Sequence, residues 1–267
     1  MSDLPSQFTA VVLAADRTIP DPVAQAAGVS CKAMVPVDGI PMITRVIMAL
    51  RGSKAIGSII LCGPPWTTLQ NETGLQQLLD SESIQWLPNR ETPSTSAAAA
   101  LQTLAAETPV LLTTADHALL TPAILDYFCT KARHAAADVL VALAHYDAIM
   151  QAYPGMRRTA TRFQDGPFCS CNLFAILTSR GRTAADFWRR VERERKTPWK
   201  MINKLGWLMV LKYLLGRLTL AEGLRRASQQ LGFRASAVLM PFPEAAVDVD
   251  TPADWHFVQD IVKESIV

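Results

Sequence analysis

The chain lacks any apolar run approaching the roughly 18 to 20 residues a membrane-spanning helix needs. Its first residues, MSDLPSQ, lack the basic start and apolar centre of a secretory leader. The cysteines are odd in number (Cys31, Cys62, Cys129, Cys169 and Cys171) and form no pairing framework. These absences lead to the expectation of a reduced, cytoplasmic setting. No internal repeat or low-complexity linker divides the sequence. The first loop also has no glycine between Ala15 and Gly28, so little of its backbone is free to wrap closely around an anion.

What is present is ordinary globular material: 267 residues, 49% hydrophobic and 19% charged. That suffices for one large domain over 1–267, with room for an insertion. The net charge of +2 hides an asymmetry. Residues 180–217 hold eleven lysines and arginines against three acidic residues, an excess of +8 that leaves −6 on the remainder. Such a block suits an anionic partner or a solvated helix face. No nucleic-acid partner is expected.

Apolar strands are predicted at 8–13, 56–62, 84–87, 109–114, 138–144, 169–177 and 238–240, with a further extended segment around Asp248 and Asp250. Between them, helical spacing covers 42–50, a short stretch at 75–79, the run AAAALQTLAA, a helix opened by Thr121–Pro122, and 184–195. Residues 199–231 read as helical, broken by Gly206 and Gly216. Strands alternating with helices predict a three-layer α/β/α fold with a mostly parallel, Rossmann-like sheet, plus a helical insertion near 180–235. Such sheets bind ligands at the carboxyl ends of their strands. Ala14–Asp16, Asp116 and the segment TPSTS at 92–96 all fall near such ends.

Lys32 stands between the first loop and a short apolar strand, a fixed compact cation suited to a polyphosphate. Ser94, Thr95 and Ser96 precede a strong helix former and suit helix capping, with free N–H groups pointing outward. Cys169 and Cys171 are too closely spaced for a usual zinc pair and read as packing.

Four segments occur in order: VVLAA, CKAMVPVDGIPMI, PVLLTTADHALLTP and VDVDTPADW. With them the chain resembles the MobA-like NTP transferase branch of the nucleotidyltransferase superfamily, whose fold is GT-A-like. The resemblance implies Mg²⁺-dependent transfer of a nucleotidyl group from an NTP to a phosphorylated small-molecule acceptor, releasing pyrophosphate. It implies Asp116 and Asp250 as metal ligands, with Asp248 in reserve, and Lys32 at the α-phosphate. Leu13, Ala14, Ala15 and Arg17 would line the nucleotide, and Ser94, Thr95 and Ser96 would hold the base. Asn172, with Arg157, Arg158 or Arg162, would contact the acceptor. Asp16 occupies the place of the family's first loop glycine.

Two other readings remain open at this point. One is a glycosyltransferase sharing the fold, although Ala115–Asp116–His117 is not a D-x-D sequence. The other is a nucleotide-binding protein without turnover. The apolar, aromatic and basic stretch 199–217 suits a lid over the acceptor, a homodimer contact or a membrane surface.

Overall fold

A computed structural model describes residues 7–15, 20–71, 73–80, 84–194 and 207–264. Strand β1 (Phe8–Leu13) is buried throughout and lies inside an eight-stranded sheet. Helix α1 (Pro22–Ala27), unforeseen in the sequence, is capped by Asp21, whose carboxylate accepts from the amides of Val23 and Ala24. It ends at Gly28, whose φ of 68° is the left-handed conformation that glycine adopts without Cβ strain. The hairpin β2 (Pro36–Val37) and β3 (Ile40–Pro41) leads into α2 (Met42–Gly52). Then follow β4 (Ile56–Cys62), the short helices α3 (Trp66–Leu69) and α4 (Thr73–Leu79), and β5 (Ile84–Leu87).

Helix α5 (Pro93–Gln102) precedes β6 (Val110–Thr114), α6 (Pro122–Arg133), β7 (Val139–His145) and α7 (Tyr146–Ala152). Thr121 caps α6 with its hydroxyl on the Ile124 amide, and Pro122 takes the first helical position, as its missing N–H allows. The hairpin β8 (Thr161–Phe163) and β9 (Gly166–Ile176) is followed by α8 (Thr183–Glu194), α9 (Trp207–Leu214), α10 (Leu220–Leu231), β10 (Ala235–Leu239) and α11 (Pro252–Glu264).

The sheet order is β10-β7-β9-β6-β1-β4-β5, with β8 paired to β9. Among the described strands of this sheet β9 alone runs against the others, antiparallel to β6, β7 and β8. Successive residues of β1 point to opposite faces, which separates two cores. Ala10 and Val12 join α2, α6 and α11 on one side, while Val11 and Leu13 join Ala97, Leu101, Ala185 and Trp188 of α5 and α8 on the other. The fold is therefore α/β/α in three layers. No described helix is long and apolar enough to cross a membrane.

Lys32 lies between the first loop and β2, as expected, and opens a 3₁₀ turn, Lys32–Met34, held down by buried Ala33 and Met34. One sequence expectation needs correction. The segment from Val247 to Asp250 is not a strand, because the amides of Val247 and Val249 go to Glu244 and Asp116 rather than to a ladder. Within 199–231 the expected break at Gly216 is present: α9 and α10 are separated by 215–219, with Gly216 at a φ of 65°, while the expected break at Gly206 lies outside the described residues. Cys169 and Cys171 are buried free thiols in the main core, as their packing role predicts.

Candidate active site

Three remote pieces of chain converge at the carboxyl ends of the central strands. β6 delivers Asp116, and its neighbour Ala115 donates its amide to the Leu13 carbonyl at the end of β1. Val249 donates to the Asp116 carbonyl, which docks the segment preceding α11 beside that strand end. The 3₁₀ turn supplies Lys32, and its surroundings are laced tightly. Trp255 Nε1 donates to the Pro36 carbonyl at 2.7 Å, and the Arg45 guanidinium donates to the carbonyls of Val37 and Ala118.

Lys32 Nζ lies 2.6 Å from Asp116 Oδ2 and 2.9 Å from Asp250 Oδ1. Lys32 and Asp116 are mostly buried, whereas the Asp250 side chain is 65% exposed. Burial disfavours the charged form of Lys32, but the two carboxylates outweigh it and raise the ammonium pKa above the ordinary lysine value. Burial likewise pushes Asp116 up, yet Lys32 overrides it and holds the carboxyl below the usual carboxylate range. Asp116 Oδ1 is buried without a hydrogen-bond partner among the described residues. A buried acceptor left unmatched in this way is costly, and it calls for a ligand. His117 next door is buried, and burial lowers its pKa to about 4, so it is neutral at pH 7.

Asp250 is released from helix capping. Thr251 accepts from the Asp254 amide, and the Asp254 carboxylate accepts from the amide and hydroxyl of Thr251 and from the Asp250 amide. This is a reciprocal capping box, and the sequence Thr251-x-x-Asp254 carried the signal for it.

Asp248 differs from Asp250 despite the two-residue spacing. It is buried, ion-paired to Arg158, and accepts from Asn172 Nδ2 at 2.5 Å. Burial pushes the Asp248 carboxyl upward against the pull of Arg158, and the nearby Asp116 and Asp250 charges add to the rise. Both of its oxygens are engaged, one by Arg158 and the other by Asn172. Asn172 sits at a φ of 50°, a conformation that asparagine tolerates better than most residues. There the β7–β9 register jumps, between Val141 paired to Phe174 and Leu143 paired to Ser170. The bulge aims the Asn172 amide at Asp248.

The hydroxyls at the start of α5 are used internally. Thr92 is the N-cap and forms a capping box with Thr95. Ser96 accepts from the Arg90 amide and donates to the Thr92 carbonyl. Ser94, fully buried, donates to Glu192 of α8, a contact for which the sequence held no signal. Arg157 and Arg162 are exposed, Arg162 on β8. Leu13, Ala14 and Ala15 end β1 as expected, while Asp16 and Arg17 lie outside the described residues. A cavity of about 720 Å³ opens elsewhere, lined by Arg45, Met48, Leu119, Thr121 and Ile261 but by none of Lys32, Asp116 and Asp250.

The molecule thus combines a mostly parallel three-layer sheet with a lysine held between two carboxylates near its strand ends. The sequence pattern of the MobA-like NTP transferase domain matches residues 10–239, and the chain belongs to that family. Among solved structures, a hypothetical transferase from Thermus thermophilus is 30% identical, with a TM-score of 0.78 over 93% of this chain and 99% of that one. A nucleotidyl transferase from Methanothermobacter thermautotroptrophicus shares the fold at 15% identity, with a TM-score of 0.55 over 97% and 99% of the two chains. So does CMP:2-keto-3-deoxy-manno-octonic acid synthetase complexed with CTP, at 12% identity, with a TM-score of 0.56 over 97% and 100%. No curated protein matches the sequence. The family identifies an enzyme of the nucleotidyltransferase kind and sets aside both the glycosyltransferase reading and that of a binding protein without turnover.

Proposed function

We propose that the enzyme transfers an NMP group from an NTP to a phosphorylated small molecule, with Mg²⁺ as its metal. The observation that carries this reading is the Lys32 ammonium held between Asp116 and Asp250. An oxygen of the acceptor phosphate attacks the α-phosphorus, and the bond from that phosphorus to the α,β-bridging oxygen breaks. Pyrophosphate leaves with the electron pair. The attacking oxygen is already anionic, so no general base is required, and catalysis reduces to positioning and charge stabilisation.

Lys32 supplies a fixed positive charge beside the α-phosphate. Leu13, Ala14 and Ala15 would offer backbone at the end of β1, and the base would lie near the α5 N-terminus, where the hydroxyls of Ser94, Thr95 and Ser96 are themselves held within the fold. Arg158 and Asn172, oriented by Asp248, face the acceptor, with Arg162 at its outer edge.

Enzymes of this family generally use a divalent metal. The residues present suit one: Asp116 Oδ1 is a buried acceptor without a partner, and Asp250 is open. No group of three or more His, Cys, Asp or Glu side chains arranged to hold a metal ion occurs among the described residues. Two carboxylates agree with Mg²⁺, which takes one or two and fills its remaining positions with phosphate oxygens and water. Asp116 and Asp250 would hold the ion, and its contribution is to neutralise charge on the α-phosphate and the leaving pyrophosphate.

The test is pyrophosphate release with each of four NTPs, CTP first, against a pool of phosphorylated sugars and alcohols. Release that needs both Mg²⁺ and one NTP supports the reading. No release from any combination, by protein that also shows no thermal stabilisation with NTP and Mg²⁺, overturns it.

A further inference from the structure

Lys32, Asp116 and Asp250 arrive on three separate pieces of chain, and hydrogen bonds tie these pieces together pairwise. Val249 donates to the Asp116 carbonyl at 3.2 Å and joins the Asp250 segment to the end of β6. Trp255 Nε1, on α11 just beyond Asp250, donates to the Pro36 carbonyl at 2.7 Å and joins that segment to the hairpin that follows Lys32. Arg45, on α2, closes the triangle. Its Nε donates at 3.2 Å to the carbonyl of Ala118, two residues past Asp116. Its Nη1 donates at 3.3 Å to the carbonyl of Val37, five residues past Lys32. Pro36 and Val37 together make up β2, so its two carbonyls are gripped from two different helices.

The chemistry of both donors suits this task. Arg45 is half-buried, and burial lowers its pKa against the pull of Asp38. A charge withdrawn from water persists only where its donors are matched. The planar guanidinium presents donors at fixed angles and meets carbonyls from two segments at once, a geometry that a lysine ammonium does not reproduce. Trp255 packs against the main core and brings a single donor, its indole N–H. We propose that Arg45 and Trp255 are positioning residues: by clamping the two carbonyls of β2 they hold the Lys32 turn where its ammonium meets both carboxylates. This rests on the transfer proposed above, in which Lys32 acts at the α-phosphate. A loosened hairpin lets Lys32 drift from Asp116, and misplacing a group by about 1 Å costs on the order of 100-fold in rate.

The experiment compares the parent with Trp255→Phe, which keeps the ring and loses the donor, with Arg45→Lys, which keeps the charge and loses the fork, and with the double variant. Each single variant should lower kcat about tenfold or more, with the NTP KM within about twofold of the parent. The double variant should fall short of the product of the two losses, because both residues hold one hairpin. Arg45 lines the cavity of about 720 Å³, so guanidinium ion can reach the place its side chain leaves. In Arg45→Ala, guanidinium chloride at about 20 mM should raise kcat about threefold or more, and urea at the same concentration should not. Acetylation mapped by mass spectrometry reads the same geometry without turnover. Labelling of Lys32 should rise about fivefold or more in Trp255→Phe and Arg45→Lys, relative to the exposed Lys54 and Lys131. Parent-like kcat in both single variants overturns the inference, as does a change confined to KM or a loss that only follows the folded fraction read by circular dichroism. So does Lys32 labelling that is alike in parent and variants. A parent that releases no pyrophosphate while its Lys32 stays protected refutes the transfer reading and leaves the clamp standing.

Discussion

The Asp116 carboxylate grips the Lys32 ammonium at 2.6 Å, across 84 residues of sequence, in a setting that excludes most of the solvent. Asp250 completes the arrangement from 218 residues away on the exposed side. The two carboxylates therefore contribute unequally to stability while serving one site. Replacing Asp116 by Asn takes the closer carboxylate from the mostly buried Lys32 and should cost about 1–3 kcal/mol. Replacing Asp250 by Asn should cost under about 1 kcal/mol, as exposed ion pairs do. Both variants should lose metal-dependent transfer by about 100-fold or more. Urea titrations read the first difference and pyrophosphate release the second; full activity in either variant removes that residue from the site.

Lys32→Ala should lower kcat about 100- to 1000-fold, the scale for losing one fixed positive donor at developing charge. Lys32→Arg should not restore it, because a planar fork cannot occupy the point between two carboxylates that an ammonium fills. Substantial rescue by arginine would show that charge alone, without that geometry, suffices.

The pH dependence follows from the direction of each shift. Asp116 is held below the usual carboxylate range, so its contribution is complete above about pH 4 and is lost as pH falls further. Lys32 is raised, so its contribution is complete below about pH 10 and is lost only at higher pH. Urea midpoints measured from pH 7 down to about pH 3 should fall less steeply in Asp116→Asn than in the parent. An identical acid limb in both proteins contradicts the pairing.

Asp248→Ala should separate positioning from metal binding. It leaves Arg158 partly buried without its ion pair and Asn172 without its acceptor, lowering Tm. Acceptor KM should rise by roughly tenfold, while the concentration dependence on Mg²⁺ stays unchanged. A shifted Mg²⁺ dependence would return Asp248 to the metal ligands.

Thr92→Ala removes the N-cap and its capping box on α5, and should cost about 1 kcal/mol in denaturant unfolding. Ser94→Ala cuts the link between α5 and Glu192 instead, and its effect should show as increased amide exchange in α8.

Several elements were legible from the residues because their determinants are local. β1, β4 and β5 occur over the predicted spans, since short apolar runs bounded by turn residues need no distant information. Thr121–Pro122 likewise announced α6 by cap and proline chemistry. Short helices such as α1 and α7 escaped notice, being too brief to show a 3.6-residue period. The resemblance in four ordered motifs pointed to Lys32, Asp116 and Asp250 without showing that they touch.

What the sequence by itself determined was the material: apolar strands of the right length, helix caps, a lysine between the first loop and a short strand, and aspartates in two distant motifs. Only the tertiary structure decided how the three acidic groups divide their work. Asp248 and Asp250 are two residues apart and chemically alike, yet one is buried against Arg158 and Asn172 and the other is open beside Lys32. That division depends on how the segment before α11 docks against the end of β6 and on a bulge in β9. Both are set by packing between parts of the chain that have no local knowledge of each other.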